Sequence, residues 1–345
     1  MVKGGFSMQR TVTMKDVADK AGVSVMTVSR AFKQHASVGE ETRKRILQIA
    51  EELGYVFDST AANLRSQRTG FVAVSIPSIN NANFADTVGA LSESLKLADL
   101  QVLLGYSNYD IHKEEEIVEQ FLRRRPEAIV LTGGRHTDRT RQLLTRANIP
   151  VVETWDLPEN PIGHVVGFSN AATMHDLVKH LVGTGRKRIA FIGGDTDGDT
   201  RGADRRRGFI RAMSDLGLST ERLIGAGEPP ISMREGADAM ARLLQDFPDT
   251  GAVICVSDLS AFGALTECAR KGVKVPEDIA IAGFGAYDIS SICLPTLTTI
   301  DPHPADIGRR AGELIVSLLR GEGKTERDPV HISIEPNLSV GGSTA

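Results

Sequence analysis

Between residues 13 and 53 the apolar positions recur at intervals of three and four, in three short blocks. Val17, Ala18 and Ala21 form the first stripe, Val28 with Ala31 or Phe32 the second, and Ile46, Ile49, Ala50 and Leu53 the third. That spacing predicts three amphipathic helices. Thr13 and Ser24 stand where the first two need an N-cap, Asp16 places a carboxylate in the first turn, and Gly22 and Gly54 mark two ends. From Phe71 the pattern changes. Short apolar runs ("FVAVSIP", "QVLLGYS", "AIVLTG", "PVVETW", "HVVGFS", "RIAFIGG", "AVICVS", "IAIAGFG", "LTTID") alternate with helical stretches such as "FADTVGALSESLKLADL". This alternation predicts parallel sheets covered by helices on both faces. About nine strands divide more naturally into two doubly wound lobes than into one sheet. The expected fold class is therefore α/β, a three-helix head followed by two such lobes. A ligand would bind beyond the carboxyl ends of the strands.

The second helical block opens with Val25, Met26 and Thr27, apolar or small side chains where no buried face requires them. Two short helices joined at a glycine form the pattern of a helix-turn-helix, whose second helix presents its first turn to the DNA major groove. Val25, Met26 and Thr27 are then placed for thymine methyls and base edges, and Arg30 for a guanine one turn later. Thr13, Ser24 and Ser29 suit phosphate oxygens, which position the head without specifying sequence. A three-helix interaction module is the alternative. Charge favours DNA: residues 1–70 carry eleven Lys and Arg against seven Asp and Glu, the remainder 29 against 37. A basic head on an acidic body fits a polyanion partner for the head alone.

Little points elsewhere. Cys255, Cys268 and Cys293 are odd in number and far apart, with neither disulfide nor metal spacing, which suits a reducing cytoplasm. Residues 1–10 read as a disordered leader without a secretory apolar run, and no segment reaches the roughly 20 apolar residues of a membrane span. "FIGGDTDGDTRG" is glycine-rich after a strand, yet lacks both the dinucleotide and the phosphate-loop spacing, and reads as a plain loop. His175 and His180 fall off a common helical face. The acidic run Glu114–Glu116, with Arg123–Arg125 on the same helix, reads as a solvated face. No catalytic constellation, metal site or cofactor is expected, and the chain does not read as an enzyme.

The stretch from "MKDVADKAGVSVMTVSRAFK" through "VGEETRKRILQIAEELGYVFDSTAANLRSQRTGFVAV" resembles the head of the lactose/galactose repressor family. "RRRGF", "SDLSAFGALTECARKGVKVPEDIAIAGFG" and "PTLTTID" resemble that family's sugar-sensing core, which shares its fold with periplasmic binding proteins. Within the family, "LTGGRHTDRT", "VVGFSN" and "LSVGGS" are most similar to gluconate-operon repressors. The resemblance implies a helix-turn-helix domain over 11–57, a hinge over 58–69 and an effector-binding and dimerisation core over 70–345. Lobe 1 would comprise 70–169 and 301–328, lobe 2 170–300 and 329–345. It also implies a hinge helix that orders on operator DNA, with Asn63 and Leu64 as its DNA contacts and Leu64 inserted into the minor groove. Asp58 and Ser59 depart from the Asn and Arg of many relatives.

For the effector, the resemblance implies Arg205 as the main anchor, a fork suited to carboxylate or phosphate, and Asp258 as the receiver of sugar hydroxyls. Asn83, Phe84, Arg135, Trp155, Asp156, Ser169 and Asn170 would surround them. Each has a structural alternative: Arg205 paired with a surface acid, Asp258 capping a helix, Trp155 as core. Many relatives carry an aspartate after the glycine–aromatic pair, whereas "GFGAYD" has Gly285 and Ala286 there. One fewer carboxylate favours an anionic ligand. The expected function is a homodimeric repressor on a pseudo-palindromic operator, released by a sugar acid such as gluconate or 6-phosphogluconate. A neutral-sugar or corepressor-dependent regulator of the same family is the alternative, and a solute receptor without a DNA role a more distant one.

Overall fold

The computed structural model describes residues 12–32, 38–57, 69–196, 198–321 and 329–345, in two compact units, Met1–Arg68 and Thr69–Ala345. In the first unit, α1 (Met14–Ala21), α2 (Val25–Ala31) and α3 (Glu40–Leu53) close around Val17, Ala18, Ala21, Val28, Ala31, Ile46 and Ala50. Local chemistry sets their ends. Thr13 and Asp16 form a reciprocal capping box, which satisfies two N–H groups that the first turn would leave orphaned. Gly22 ends α1 in the left-handed region at φ 64° and leads to Ser24, whose hydroxyl accepts the Thr27 N–H at 3.2 Å. From α3, Arg43 donates to the Ala31 carbonyl at 3.0 Å and Arg45 to that of Ala21, so the third helix caps the other two. The expected leader over 1–10 and the hinge residues 58–68, with Asn63 and Leu64, lie outside the described residues.

The second unit holds two six-stranded sheets. Lobe 1 contains β1 (Phe71–Ile76), β2 (Gln101–Tyr106), β3 (Ala128–Thr132), β4 (Val151–Thr154) and β5 (His164–Gly167). Lobe 2 contains β6 (Ile189–Ile192), β7 (Leu223–Ile224), β8 (Ala252–Cys255), β9 (Ala280–Phe284) and β10 (Thr298–Asp301). The chain then returns β11 (His331–Ser333) to the first sheet and β12 (Asn337–Ser339) to the second. Strand order is β11-β5-β4-β3-β1-β2 in one sheet and β12-β10-β9-β8-β6-β7 in the other. All pairs are parallel except β12 with β10. Helices α4 (Ala82–Lys96), α5 (Ile111–Arg123) and α6 (Asp138–Ala147) belong to lobe 1. Helices α7 (Asn170–Gly183), α8 (Thr200–Asp215), α9 (Met233–Asp246), α10 (Asp258–Lys271) and α11 (Asp288–Ile292) belong to lobe 2. The last, α12 (Pro304–Arg320), packs back along α4.

Each of the nine expected strands is present. The central ones β3, β4, β8 and β9 are buried at every position, as strands with helices on both faces must be. One boundary needs correction. Residues 329–345 were expected in lobe 2, but His331–Ser333 pairs with Val165–Gly167 in lobe 1, so the last crossing falls between Ser333 and Asn337. The three crossings, after β5, after β10 and after β11, leave the carboxyl ends of the two sheets facing a shared cleft.

Candidate functional site

In the head, Val25 and Met26 are 44% and 52% exposed although apolar, because the α2 core is supplied by Val28 and Ala31 on the opposite side. Arg30 is exposed and Ser29 half-buried on the same helix. Three expected phosphate or base contacts are already engaged within the head. The Thr13 hydroxyl donates to Asp16 at 2.6 Å, and the Ser24 and Thr27 hydroxyls pair at 2.9 Å. Capping therefore has first claim on these groups.

The second unit encloses a cavity of about 310 Å³ between its lobes, at the small end of the range for ligand sites. Every wall comes from the carboxyl end of a parallel strand. Asn81, Asn83 and Phe84 follow β1, Tyr109 follows β2 and Trp155 follows β4, all in lobe 1. From lobe 2, Asp199, Arg201 and Arg205 follow β6, Pro229 and Pro230 follow β7, Ser257 follows β8, and Tyr287 follows β9. Phe84 packs edge-on to Trp155 at 5.3 Å, and the indole N–H donates to Thr87 Oγ1 at 3.2 Å, which fixes that wall. Tyr109 and Trp155 both sit in the left-handed region, at φ 61° and 69°. Such strain, of order 1–3 kcal/mol for a bulky residue, is retained where surrounding packing aims a side chain.

Two guanidiniums dominate the electrostatics. Arg205 lies face-on over Phe284 at 4.2 Å and donates from Nη1 to Asn170 Oδ1 at 2.7 Å, while its buried Nε has no protein partner. Burial pushes the Arg205 pKa down, an effect partly offset by Asp199 and reinforced by the neighbouring charge of Arg201. Arg201 donates from Nη1 to the Thr132 carbonyl at 3.2 Å and lies 5.5 Å over Phe84. Asp199 caps α8 by accepting the Gly202 N–H at 3.0 Å. Burial raises the pKa values of Tyr109 and Tyr287, and Asn81 lines the same cavity. Neutral tyrosines, an amide and two cations can hold a small polyhydroxylated anion.

Of the expected effector residues, Asn83, Phe84, Trp155 and Arg205 meet in this cavity, and Asn170 stands behind Arg205 as its anchor. Asp258 does not join them. It is fully buried; Oδ1 accepts from Thr299 at 2.7 Å and Oδ2 from the Tyr287 N–H at 2.9 Å. Gly283 lets it turn inward, since a Cβ there would lie 2.1 Å from Oδ1. Asp258 holds the Tyr287 loop in place, with burial raising its pKa to about 6. Arg135, Asp156 and Ser169 line a different depression, with Asp204 and Arg207. The expectation missed Tyr109, Asp199, Arg201 and Tyr287. The glycine-rich loop dismissed as plain carries two of them.

A further correction concerns α5. Glu114 is buried rather than solvated, with Oε1 2.5 Å from His136 Nδ1, while Glu119 and Arg123 do pair on the surface at 2.9 Å. Among the described residues no group of His, Cys, Asp and Glu is arranged to hold a metal ion, and no helix is long and apolar enough to cross a membrane.

Comparison with known proteins joins the two units. Residues 13–58 match the lacI family of bacterial regulatory proteins, and residues 178–344 match the periplasmic binding protein-like domain. The HTH-type transcriptional regulator GntR of Pseudomonas aeruginosa is 36% identical over 310 residues, which cover 90% of each chain. The chain belongs to the lacI family. A LacI family transcriptional regulator from Silicibacter pomeroyi is 44% identical over 79% of this chain and 98% of that one, with a TM-score of 0.75. A second regulator from the same organism is 31% identical, covers 96% of this chain and 99% of its own, and has a TM-score of 0.89. As a lacI-family member, the chain is a DNA-binding, ligand-responsive transcriptional regulator, with a helix-turn-helix head and a periplasmic-binding-protein-like core. Its relatives are named as transcriptional regulators.

Proposed function

We propose that the chain is a homodimeric repressor that holds a pseudo-palindromic operator and releases it when a sugar acid, gluconate or 6-phosphogluconate, fills the cavity between the lobes. The observation that carries this reading is the guanidinium of Arg205, buried in the cavity wall with an unpartnered Nε. A buried donor on a cation is costly to leave unmade, and a carboxylate or phosphate satisfies it. Arg201 beside it, and the absence of a carboxylate at Gly285 and Ala286, tilt the cavity further toward anions. The likeness to a regulator named GntR supports the same ligand class. Calorimetry with gluconate, 6-phosphogluconate, galactose and ribose tests it. Binding confined to the two acids is expected; binding confined to the neutral sugars overturns the reading.

In the head, exposed Val25, Met26 and Arg30 are the base-reading set. Met26→Ala lowers affinity for the specific operator about tenfold, the scale of one good base contact, and leaves binding to unrelated DNA at low salt unchanged. A gel shift with both fragments measures this, and equal losses on the two would assign Met26 to folding instead. Linkage requires reciprocity. Operator DNA therefore weakens gluconate binding by the same factor as gluconate weakens operator binding, a comparison that calorimetry with and without the duplex makes directly.

A further inference from the structure

We propose that Arg201 makes closure of the two lobes depend on the negative charge of the effector. This deepens the sugar-acid reading and rests on it. Arg201 stands four residues before Arg205 on α8 of lobe 2, so both project from one face of that helix. It is only 6% exposed and lines the same cavity. Unlike Arg205, it grips the opposite lobe. Nη1 donates to the carbonyl of Thr132, the last residue of β3, and the guanidinium plane covers Phe84 on α4. Gly133, at φ 99°, makes the space: a Cβ there would lie 2.7 Å from Arg201 Nη1.

The charges around the cavity do not balance. Two guanidiniums face one carboxylate, Asp199, which is already accepting from the Gly202 N–H. Closing the lobes over an empty cavity buries surplus positive charge, and each guanidinium raises the cost of burying the other. An anion between them supplies the missing charge at the moment the lobes meet, whereas a neutral sugar of the same shape does not. A second bridge between the lobes, Arg135 to Asp204 at 3.6 Å, pairs opposite charges and needs no ligand. The anion thus has the differential affinity for the closed form that any ligand-driven shift requires. The ligand class is a small polyol carrying a carboxylate or phosphate ester.

The test compares the full-length wild type, R201Q and R201K, with inorganic phosphate and gluconate as separate probes. Readouts are the thermal midpoint and amide exchange over residues 78–84 and 130–135, the lobe 1 segments that Arg201 touches. In the wild type both anions raise the midpoint and slow exchange in these segments. R201Q loses the phosphate response and binds gluconate about tenfold more weakly, the scale of one charged hydrogen-bonded contact. R201K, which keeps the charge, recovers part of the response. Phosphate protection of R201Q equal to the wild type overturns the proposal, as does a lysine variant as unresponsive as the glutamine one. A wild type that responds to phosphate and not to gluconate rules out gluconate as the effector, leaving a phosphate ester, and leaves the role of Arg201 standing. Protection of the wild type by a neutral sugar alone sinks both.

Discussion

Arg205→Met is expected to abolish the effector response while leaving operator binding intact, giving a repressor that gluconate cannot remove. Methionine keeps an unbranched apolar stem against Phe284, over which the guanidinium now lies at 4.2 Å, and deletes the charged fork. Truncating one partner of a buried, hydrogen-bonded charge pair costs about 2–5 kcal/mol, roughly 30-fold to several thousand-fold in affinity. The fold should tolerate the change. Asn170 loses the donor to its Oδ1 but keeps its own bond to the Trp155 carbonyl at 2.9 Å, and the variant removes a buried cation with an unsatisfied Nε. The burial that depresses the Arg205 pKa indicates that its charge opposes folding of the empty protein. The thermal midpoint without ligand should therefore hold or rise. Calorimetry with gluconate and a gel shift with and without it check both halves. Gluconate affinity within threefold of the wild type would remove Arg205 from the site.

How the sequence announced some of these residues and hid others follows from the range of the forces involved. The head was legible because its determinants are local. Thr13, Gly22, Ser24 and Gly54 cap or terminate helices through contacts within a few residues, and its core repeats at helical spacing. Central strands were legible because burial on both faces demands unbroken apolar runs. The segments β7, β11 and β12 are two or three residues long with mixed exposure, so no run marks them. Cavity residues divide along the same line. Asn83, Phe84 and Trp155 stand just past the ends of strong strands. Arg201 acquires its role only by reaching Thr132, 69 positions earlier.

Two expected residues lie outside the cavity for a related reason. Asp258 follows a strand and opens a helix, as a ligand-binding carboxylate would, yet Gly283 leaves it room to turn inward to Thr299 and the Tyr287 N–H. Arg135 follows β3, but its side chain runs to Asp204 on the other flank of the junction. Which way each side chain turns is set by partners far along the chain, in its own lobe for Asp258 and in the opposite lobe for Arg135, and local spacing carries no record of them. The Glu114 run is the same lesson in charge. A helical pairing rule sees the residues three and four away, whereas the partner of Glu114 is His136, 22 positions on.

That buried pair gives the largest stability effect expected in the core. The His136 ring is fully enclosed, with Nδ1 2.5 Å from Glu114 Oε1 and Nε2 3.5 Å from Glu153 Oε1. Glu153 is also buried, and its Oε2 accepts the Ile162 N–H at 2.6 Å. One imidazolium thereby ties α5, the loop after β3, and β4 with its following turn. Burial alone would depress its pKa, but the hydrogen bond to Glu114 and the charges of Glu114 and Glu153 outweigh this and carry it from 6.5 to about 9. His136→Leu leaves two buried carboxylates facing an apolar side chain, a loss of about 3–5 kcal/mol. In a unit of this size that lowers the thermal midpoint by roughly 6–20 °C. The pH dependence has a definite sign. A folded-state pKa above the unfolded one makes the contribution of His136 complete below pH 6.5 and lost as pH rises through about 9. Across that window the wild type should lose up to ~3 kcal/mol from this residue, and His136→Leu should lack that component. Titrating groups away from this cluster are common to both proteins, so the difference between their melting curves from pH 6 to 10 reports the imidazole together with the two glutamates it contacts. Parallel curves would mean that His136 is neutral in the fold and that the two glutamates are held by other means.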